Sequence, residues 1–94
     1  MKYKKGDKIK FAGEKQRYTV RASNDNFVIC TKPFNPRKTV LYTVVDFKKN
    51  IRGIENLIFC FGAETDKECE EMLERLASGE TEVSYRNNIE LDIE

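Results

Sequence analysis

The sequence predicts one α+β domain spanning residues 1–94, in which a small antiparallel barrel or twisted sheet of five to six strands carries one amphipathic helix. Apolar and polar residues alternate with a period of two through most of the first sixty positions. Turn-forming residues separate these alternating segments at short intervals. After residue 65 the apolar period becomes that of a helix. A chain of 94 residues is long enough for a single core.

Two basic strands open the chain, at 8–11 and 17–22, because apolar residues alternate there with polar and charged ones. The positions expected to face the core are Ile9, Phe11, Tyr18, Val20 and Ala22. Turns are predicted at 13–15, which begins with glycine, and at 23–26, which is rich in Asn and Asp. If the two strands pair, one face of the sheet carries Lys8, Lys10, Arg17 and Arg21.

The third and fourth strands are predicted at Phe27–Thr31 and Thr39–Phe47. The segment between them contains Pro33 and Pro36, which cannot donate to a sheet ladder, so residues 32–38 are expected to form an exposed loop. The fourth strand is apolar on both faces, and it therefore needs cover on both sides.

The remaining strands are predicted from shorter patterns. A second basic turn is expected at Lys48–Gly53, and a fifth strand at Asn56–Phe61. Strict alternation at 89–94 predicts a final strand whose acidic residues face outward.

The helix is predicted over Asp66–Ser78, because residues 65–68 match a capping box and Gly79 suits a left-handed cap. Its apolar stripe consists of Cys69, Met72, Leu73, Leu76 and Ala77, and the first four of these are expected to be buried. Glu71 and Arg75 lie four positions apart and are expected to pair. This helix is the natural cover for the fourth strand.

Several chemistries are disfavoured by composition. The chain has no histidine, which removes the commonest general base and metal ligand. Its three cysteines, Cys30, Cys60 and Cys69, are widely spaced among apolar neighbours, which favours buried free thiols over disulfides, zinc ligands or nucleophiles. We therefore expect a non-enzymatic protein that uses no metal and no cofactor.

The expected location is cytoplasmic, with no membrane partner. No apolar run approaches the ~18 residues of a membrane span. The charged N-terminus is not followed by the apolar segment of a secretory signal. The sequence leaves the oligomeric state open.

The charge of the chain is divided between its two parts. Residues 1–53 carry 14 Lys and Arg against 4 Asp and Glu, whereas residues 54–94 carry 3 against 12. This asymmetry indicates either a polyanionic partner or a molecule in which one part neutralises the other.

A nucleic acid is the first partner that this asymmetry suggests, since phosphates need positive charge and an exposed aromatic ring can stack on a base. The residues predicted to contact it lie in the loops and turns: Lys32, Phe34, Arg37, Lys38, Lys48, Lys49 and Arg52.

A protein partner is the alternative. Carboxylates on the outer face of the helix, Glu70, Glu71 and Glu74, can imitate a phosphate backbone and block a basic groove, as an inhibitor of a host factor would. Phe34, placed between two prolines, can anchor a protein partner or fold back onto the barrel.

Two resemblances bear on the fold and the origin of the chain. Lys5-Gly6-Asp7-Lys8-Ile9-Lys10-Phe11 followed by Tyr18-Thr19-Val20 is similar to the opening of SH3-like small barrels. The segments 18–22, 30–35, 41–46, 51–53 and 84–88, in this order, resemble a family of small uncharacterised proteins encoded in bacteriophages, prophages and mobile elements. That resemblance implies an accessory protein that binds a host or phage macromolecule, and it assigns no functional residue.

Overall fold

The computed structural model describes residues 3–34, 39–53, 65–80 and 88–94. Its elements follow along the chain as β1 Lys8–Ile9, β2 Tyr18–Ser23, β3 Phe27–Phe34, β4 Thr39–Asp46, β5 Ile51–Gly53, α1 Asp66–Ser78 and β6 Asn88–Glu90. The strands form one antiparallel sheet in chain order. The predicted α+β class, a curled antiparallel sheet with one helix, is confirmed.

The sheet curls until its two ends meet. Phe11, just after β1, forms a bridge with Ile93, just after β6. Beside it the Ala12 amide donates to the Asp92 carbonyl and the Glu94 amide donates to the Lys10 carbonyl, both at 2.8 Å. The predicted final strand is therefore present as β6 and the residues that follow it. These residues pair with the segment that follows β1.

The β1–β2 and β2–β3 turns form as their residue types predict. Gly13 has φ +81°, a left-handed conformation that glycine adopts without steric cost. In the β2–β3 turn the side-chain oxygen of Asn24 accepts hydrogen bonds from the amides of Asn26 and Phe27, at 2.9 and 2.8 Å. The β2–β3 turn also meets the next connection, because the Phe47 amide donates to the Asn26 carbonyl.

The sheet has a buried cluster on each of its two faces. Inside the curl lie Ile9, Phe11, Tyr18, Val20, Val28, Cys30 and Val45. Against the helix lie Ala22, Ile29, Tyr42, Val44, Ile51, Cys69 and Leu76. The β4 strand contributes Val45 to one cluster and Tyr42 and Val44 to the other, so the prediction that it is covered on both faces is confirmed.

A β-bulge in β2 changes one predicted orientation. Val20 pairs with Cys30 and Ala22 pairs with Ile29, so Arg21 is an extra residue on β2. The extra residue turns Ala22 toward the helix, whereas Tyr18 and Val20 point inside the curl. The expectation that all three share one buried face is wrong for Ala22, because the bulge interrupts the period of two.

The helix begins and ends where the sequence predicts. The Thr65 side chain accepts a hydrogen bond from the Glu68 amide and Glu68 bonds back to the Thr65 amide, while Gly79 forms a left-handed cap at φ 83°. Cys69 and Leu76 are buried, and Met72 and Leu73 are partly buried against the same cluster. Ala77 is exposed. The Glu71–Arg75 pair is not formed; the Arg75 guanidinium instead lies 3.9 Å from Glu80.

Two strand boundaries differ from the prediction. The β3 strand continues to Phe34, and Pro33 pairs with Val40 although the segment was expected to be a loop. Proline is tolerated there because the pairing with β2 ends at Thr31, so Pro33 has a strand on one side only in the described register. The β5 strand, Ile51–Gly53, occupies part of the segment predicted as a basic turn. The strand predicted at Asn56–Phe61 lies outside the described residues.

Truncation of Leu76 should test the packing of the helix. Leu76 is 6% exposed and lies in the helix-facing cluster. We expect Leu76→Ala to lower the free energy of unfolding by about 2–5 kcal/mol, measured by urea denaturation, because it leaves a cavity in the core. The control Glu74→Ala, on the exposed face, should change it by less than about 0.5 kcal/mol. Equal effects of the two variants would contradict the described helix orientation.

Candidate functional site

Ion pairs join the basic part of the chain to its acidic part. Asp66, at the start of α1, accepts from Lys5 Nζ at 2.6 Å and from Arg21 Nη2 at 2.7 Å. Lys10 Nζ lies 2.7 Å from Glu94 Oε1. The structure thus neutralises several of the cations that made residues 1–53 so basic, and the helix N-terminus is anchored to the bulge in β2.

Arg52 is the most deeply buried charged side chain of the described network, at 2% exposure. Its Nε donates to Asp92 Oδ1 at 2.7 Å, and its Nη2 donates to Glu14 Oε2 at 2.9 Å. The guanidinium carbon lies 4.0 Å from the centre of the Phe11 ring, a cation–π geometry. One nitrogen, Nη1, is buried without a hydrogen-bond partner in the described part of the chain.

The burial of Arg52 corrects two expectations. It was predicted in an exposed turn that contacts a nucleic acid, but it lies on β5, where the strand alternation turns it into the curl. Asp92 was predicted to face outward, yet it turns toward Arg52. An ion pair between residues so distant in sequence leaves no local pattern that could have revealed it.

Lys32 also belongs to the ion-pair network of Arg52 and Glu14. Its Nζ lies 2.9 Å from Glu14 Oε1 and 4.9 Å from the centre of the Tyr18 ring. The Lys32 side chain is only 16% exposed. The predicted role of Lys32 as a free phosphate contact therefore conflicts with its position beside Glu14.

Glu14 receives both cations, and this changes its acidity. Partial burial acts to raise the pKa of Glu14, but the hydrogen bonds from Lys32 and Arg52 outweigh it, so the pKa lies below its ordinary value of 4.5. Glu14 is consequently a carboxylate at neutral pH that holds two cations at one end of the barrel.

The described cysteines are structural. Cys30 and Cys69 are buried, as predicted, and Cys60 lies outside the described residues. Burial raises the pKa of both thiols, which keeps them in the protonated, weakly nucleophilic form.

Some exposed cations are left without a carboxylate partner. Lys8, Lys15 and Arg17, the hairpin cations, lie on the β1–β2 hairpin and form no salt bridge within the described part of the chain. The register places Lys8 opposite Thr19, to which its Nζ donates at 2.6 Å. Lys8 and Arg17 therefore lie on the outer face, opposite Ile9 and Tyr18, and Lys15 lies in the connecting loop.

Lys48 and Lys49 lie at the other end of the sheet, in the turn between β4 and β5. Lys48 is exposed, and the Lys49 amide donates to Asp46 Oδ1 at 3.0 Å. The turn lines a cavity of about 230 Å³ together with Asn26, Phe27, Asp46 and the C-terminal end of α1. Sequence reasoning nominated the lysines but not Phe27, because its position in an alternating strand resembles that of any core aromatic residue.

The nominated residues do not form one surface. β4 has eight residues, so at about 3.3 Å per residue its two ends are roughly 23 Å apart. Phe34 ends β3 beside the start of β4, whereas Lys48 and Lys49 follow the end of β4. Arg37 and Lys38 lie outside the described residues.

The acidic helix face is present as predicted. Glu70, Glu71 and Glu74 are exposed, and none of them forms a salt bridge with another described residue. No cluster of three or more Cys, Asp or Glu among the described side chains could hold a metal ion. Within the described ranges, no helix is long and apolar enough to cross a membrane.

Comparison of the chain with protein-family models, curated proteins and solved structures finds no match.

Removal of the Arg52 side chain should be costly. We expect Arg52→Ala to lower the free energy of unfolding by about 3 kcal/mol in urea denaturation, since Glu14 and Asp92 lose their shared buried partner. The matched control is Lys10→Ala, which breaks the more exposed Lys10–Glu94 pair and should cost about 0–1 kcal/mol. A loss for Arg52→Ala no larger than that of the control would contradict a structural role for the network.

Acid should weaken the same network. The folded-state pKa of Glu14 is below its ordinary value of 4.5, so Glu14 stabilises the fold above that value and the contribution is lost as the pH falls through the folded-state pKa. We expect the unfolding free energy to decrease as the pH drops below about 4.5, measured by urea denaturation at a series of pH values. Glu14→Gln should show a shallower decrease. An unchanged pH dependence would show that Glu14 is not linked to stability.

Proposed function

We propose that this protein is a non-enzymatic binding module of mobile-element type, and that its partner is a nucleic acid contacted through the outer face of the β1–β2 hairpin. The observation that carries the proposal is the set of hairpin cations, Lys8, Lys15 and Arg17. They are exposed and lack carboxylate partners in the described structure, although neighbouring cations are neutralised. Unpaired cations on one surface are what phosphate binding requires.

The exposed apolar surface supports the same choice. A protein–protein module is expected to present a contiguous apolar patch of a few hundred Å². Among the described residues, Ile89 is the one large hydrophobic side chain that is exposed, at 41%. The described surface is therefore better suited to a charged partner than to an apolar one.

The proposed contacts differ from those nominated by the sequence. Arg52 and Lys32 serve the internal ion network, so they are not part of the proposed surface. β3 ends at Phe34 near the end of the sheet where the hairpin cations lie, because Thr31 pairs with Thr19. Phe34 is therefore retained in the proposal, and so are Arg37 and Lys38, which lie outside the described residues.

The salt dependence of binding tests the proposal. With three phosphate contacts, the slope of log K against log salt is about −2 on single strands and about −3 on duplex. The double variant Lys15→Ala/Arg17→Ala should make the duplex slope shallower by about 2, because two contacts are lost. Filter binding of short duplex and single-stranded oligonucleotides over a series of salt concentrations measures both slopes.

A charge-matched variant is the control. Lys67→Ala/Arg75→Ala removes the same charge from two exposed residues of α1, outside the β1–β2 hairpin. It should leave the slope nearly unchanged. No retention of any oligonucleotide by the native protein at low salt would refute the proposal, and equal effects of the two double variants would reduce it to unspecific charge attraction.

The acidic face of α1 favours a second candidate function, binding to a basic protein. Glu70, Glu71 and Glu74 are exposed and form no salt bridge among the described residues, and the hollow beside them is lined by Glu71, Glu74, Glu80, Arg75 and Ser78. Titration with an arginine-rich model peptide tests this candidate. Binding that is lost in the variant Glu70→Gln/Glu71→Gln/Glu74→Gln would support it, and the absence of binding would dismiss it.

A further inference from the structure

The cavity at the end of the barrel opposite the hairpin cations has the composition of a small-ligand site. It has a volume of about 230 Å³ and lies between the β2–β3 turn, the β4–β5 turn and the end of α1. Phe27 and Leu76 give it an apolar side. Asn26, Asp46, Lys48 and Lys49 give it polar groups. A few polar groups around an apolar hollow are typical of binding sites for small molecules.

The volume limits what can enter. An engineered apolar cavity of about 150 Å³ holds benzene, and drug-sized ligands occupy about 300–1,000 Å³. A cavity of about 230 Å³ therefore has room for one planar base. Phe27 is half-buried at its wall, where a ring can stack against the base.

The charges around the cavity determine the orientation of a bound ligand. Asp46 is 3% exposed, and its Oδ1 already accepts the Lys49 amide, which uses one of about four acceptor positions of a carboxylate. The C-terminal end of α1, at Gly79, adds negative partial charge on the same side. Donor groups of a ligand are therefore favoured inside the cavity. Lys48, which is exposed and forms no salt bridge with a described residue, favours an anionic group at the rim.

We propose that this cavity binds one nucleotide, with the base against Phe27, an amino group of the base toward Asp46, and the phosphate at Lys48. The nucleotide is either a free nucleoside monophosphate or one unstacked nucleotide of a strand. The proposal uses residues other than the hairpin cations and does not depend on them. A base with an amino group in place of a carbonyl is selected, because a carboxylate accepts from the N4 amine of cytosine but repels a carbonyl oxygen at that position.

NMR titration of the ¹⁵N-labelled native protein with CMP tests the site. We expect the amide resonances of Asn26, Lys48 and Gly79 to shift on addition of CMP. Cytidine and inorganic phosphate, each holding half of the ligand, should bind more weakly than CMP. UMP differs from CMP in the group that faces Asp46, and its affinity should be lower by about tenfold, the effect of one hydrogen bond to a charged group.

Single-residue variants test the contribution of each side chain to CMP binding. Lys48→Ala should weaken CMP binding by about tenfold, whereas Lys67→Ala removes the same charge near the start of α1, at the end of the helix away from the cavity, and should have no effect. Phe27→Leu keeps an apolar side chain but removes the ring, and it should also weaken binding. If Phe27→Leu fails to fold, Lys48→Ala and the comparison of CMP with UMP still test the proposed nucleotide site.

Titration with the oligonucleotide oligo(dC) distinguishes a free nucleotide from a nucleotide within a strand. It also distinguishes the cavity proposal from the proposed function. If oligo(dC) shifts the cavity amides and CMP does not, the ligand is a nucleotide within a strand. If oligo(dC) shifts only Lys15, Arg17 and their neighbours, the proposed function stands and the cavity proposal fails. Cavity amides that respond to neither probe, or a UMP affinity equal to that of CMP, would overturn it.

Discussion

The buried guanidinium of Arg52 is the interaction on which the closure of the barrel depends. It joins Glu14 in the β1–β2 loop, Asp92 near the C-terminus and its own strand β5, three segments that are far apart in sequence. A buried cation without partners would be strongly unfavourable, so these carboxylates must be in place when the sheet curls. The same geometry brings Phe11 against the guanidinium and positions the Phe11–Ile93 bridge that links the ends of the sheet.

The division of charge along the chain thus serves, in part, to stabilise the fold. Several cations of residues 1–53 find carboxylates of residues 54–94, and the contacts of Asp66 with Lys5 and Arg21 also fix where α1 begins on the sheet. Surface ion pairs contribute little individually, but the partly buried ones restrict which segments can meet. The charged side chains that stay exposed after this neutralisation are the ones that a partner can recognise.

One sheet supports two packing layers in this small domain. Its inner face encloses a cluster within the curl, and its outer face packs on α1. The β4 strand serves both, which explains its apolar character on both faces. The bulge at Arg21 lets β2 do the same, because it places Val20 inside and turns Ala22 and Arg21 toward the helix. In the described part of the chain, cations without carboxylate partners lie at one end of the curled sheet, and the cavity beside Phe27 lies at the other.

The sequence by itself determined the α+β class, the capped helix at Asp66–Ser78, the β1–β2 and β2–β3 turns and the two-faced β4, because these follow from local periodicity, turn chemistry and capping chemistry. Only the tertiary structure decided which cations remain available. Arg52 and Lys32 look like surface charges in a local window, and their burial depends on Glu14 and Asp92, which the curl of the sheet brings to them. Likewise the meeting of Phe27 with Lys48 depends on β3 pairing with β4, a contact that no short segment encodes.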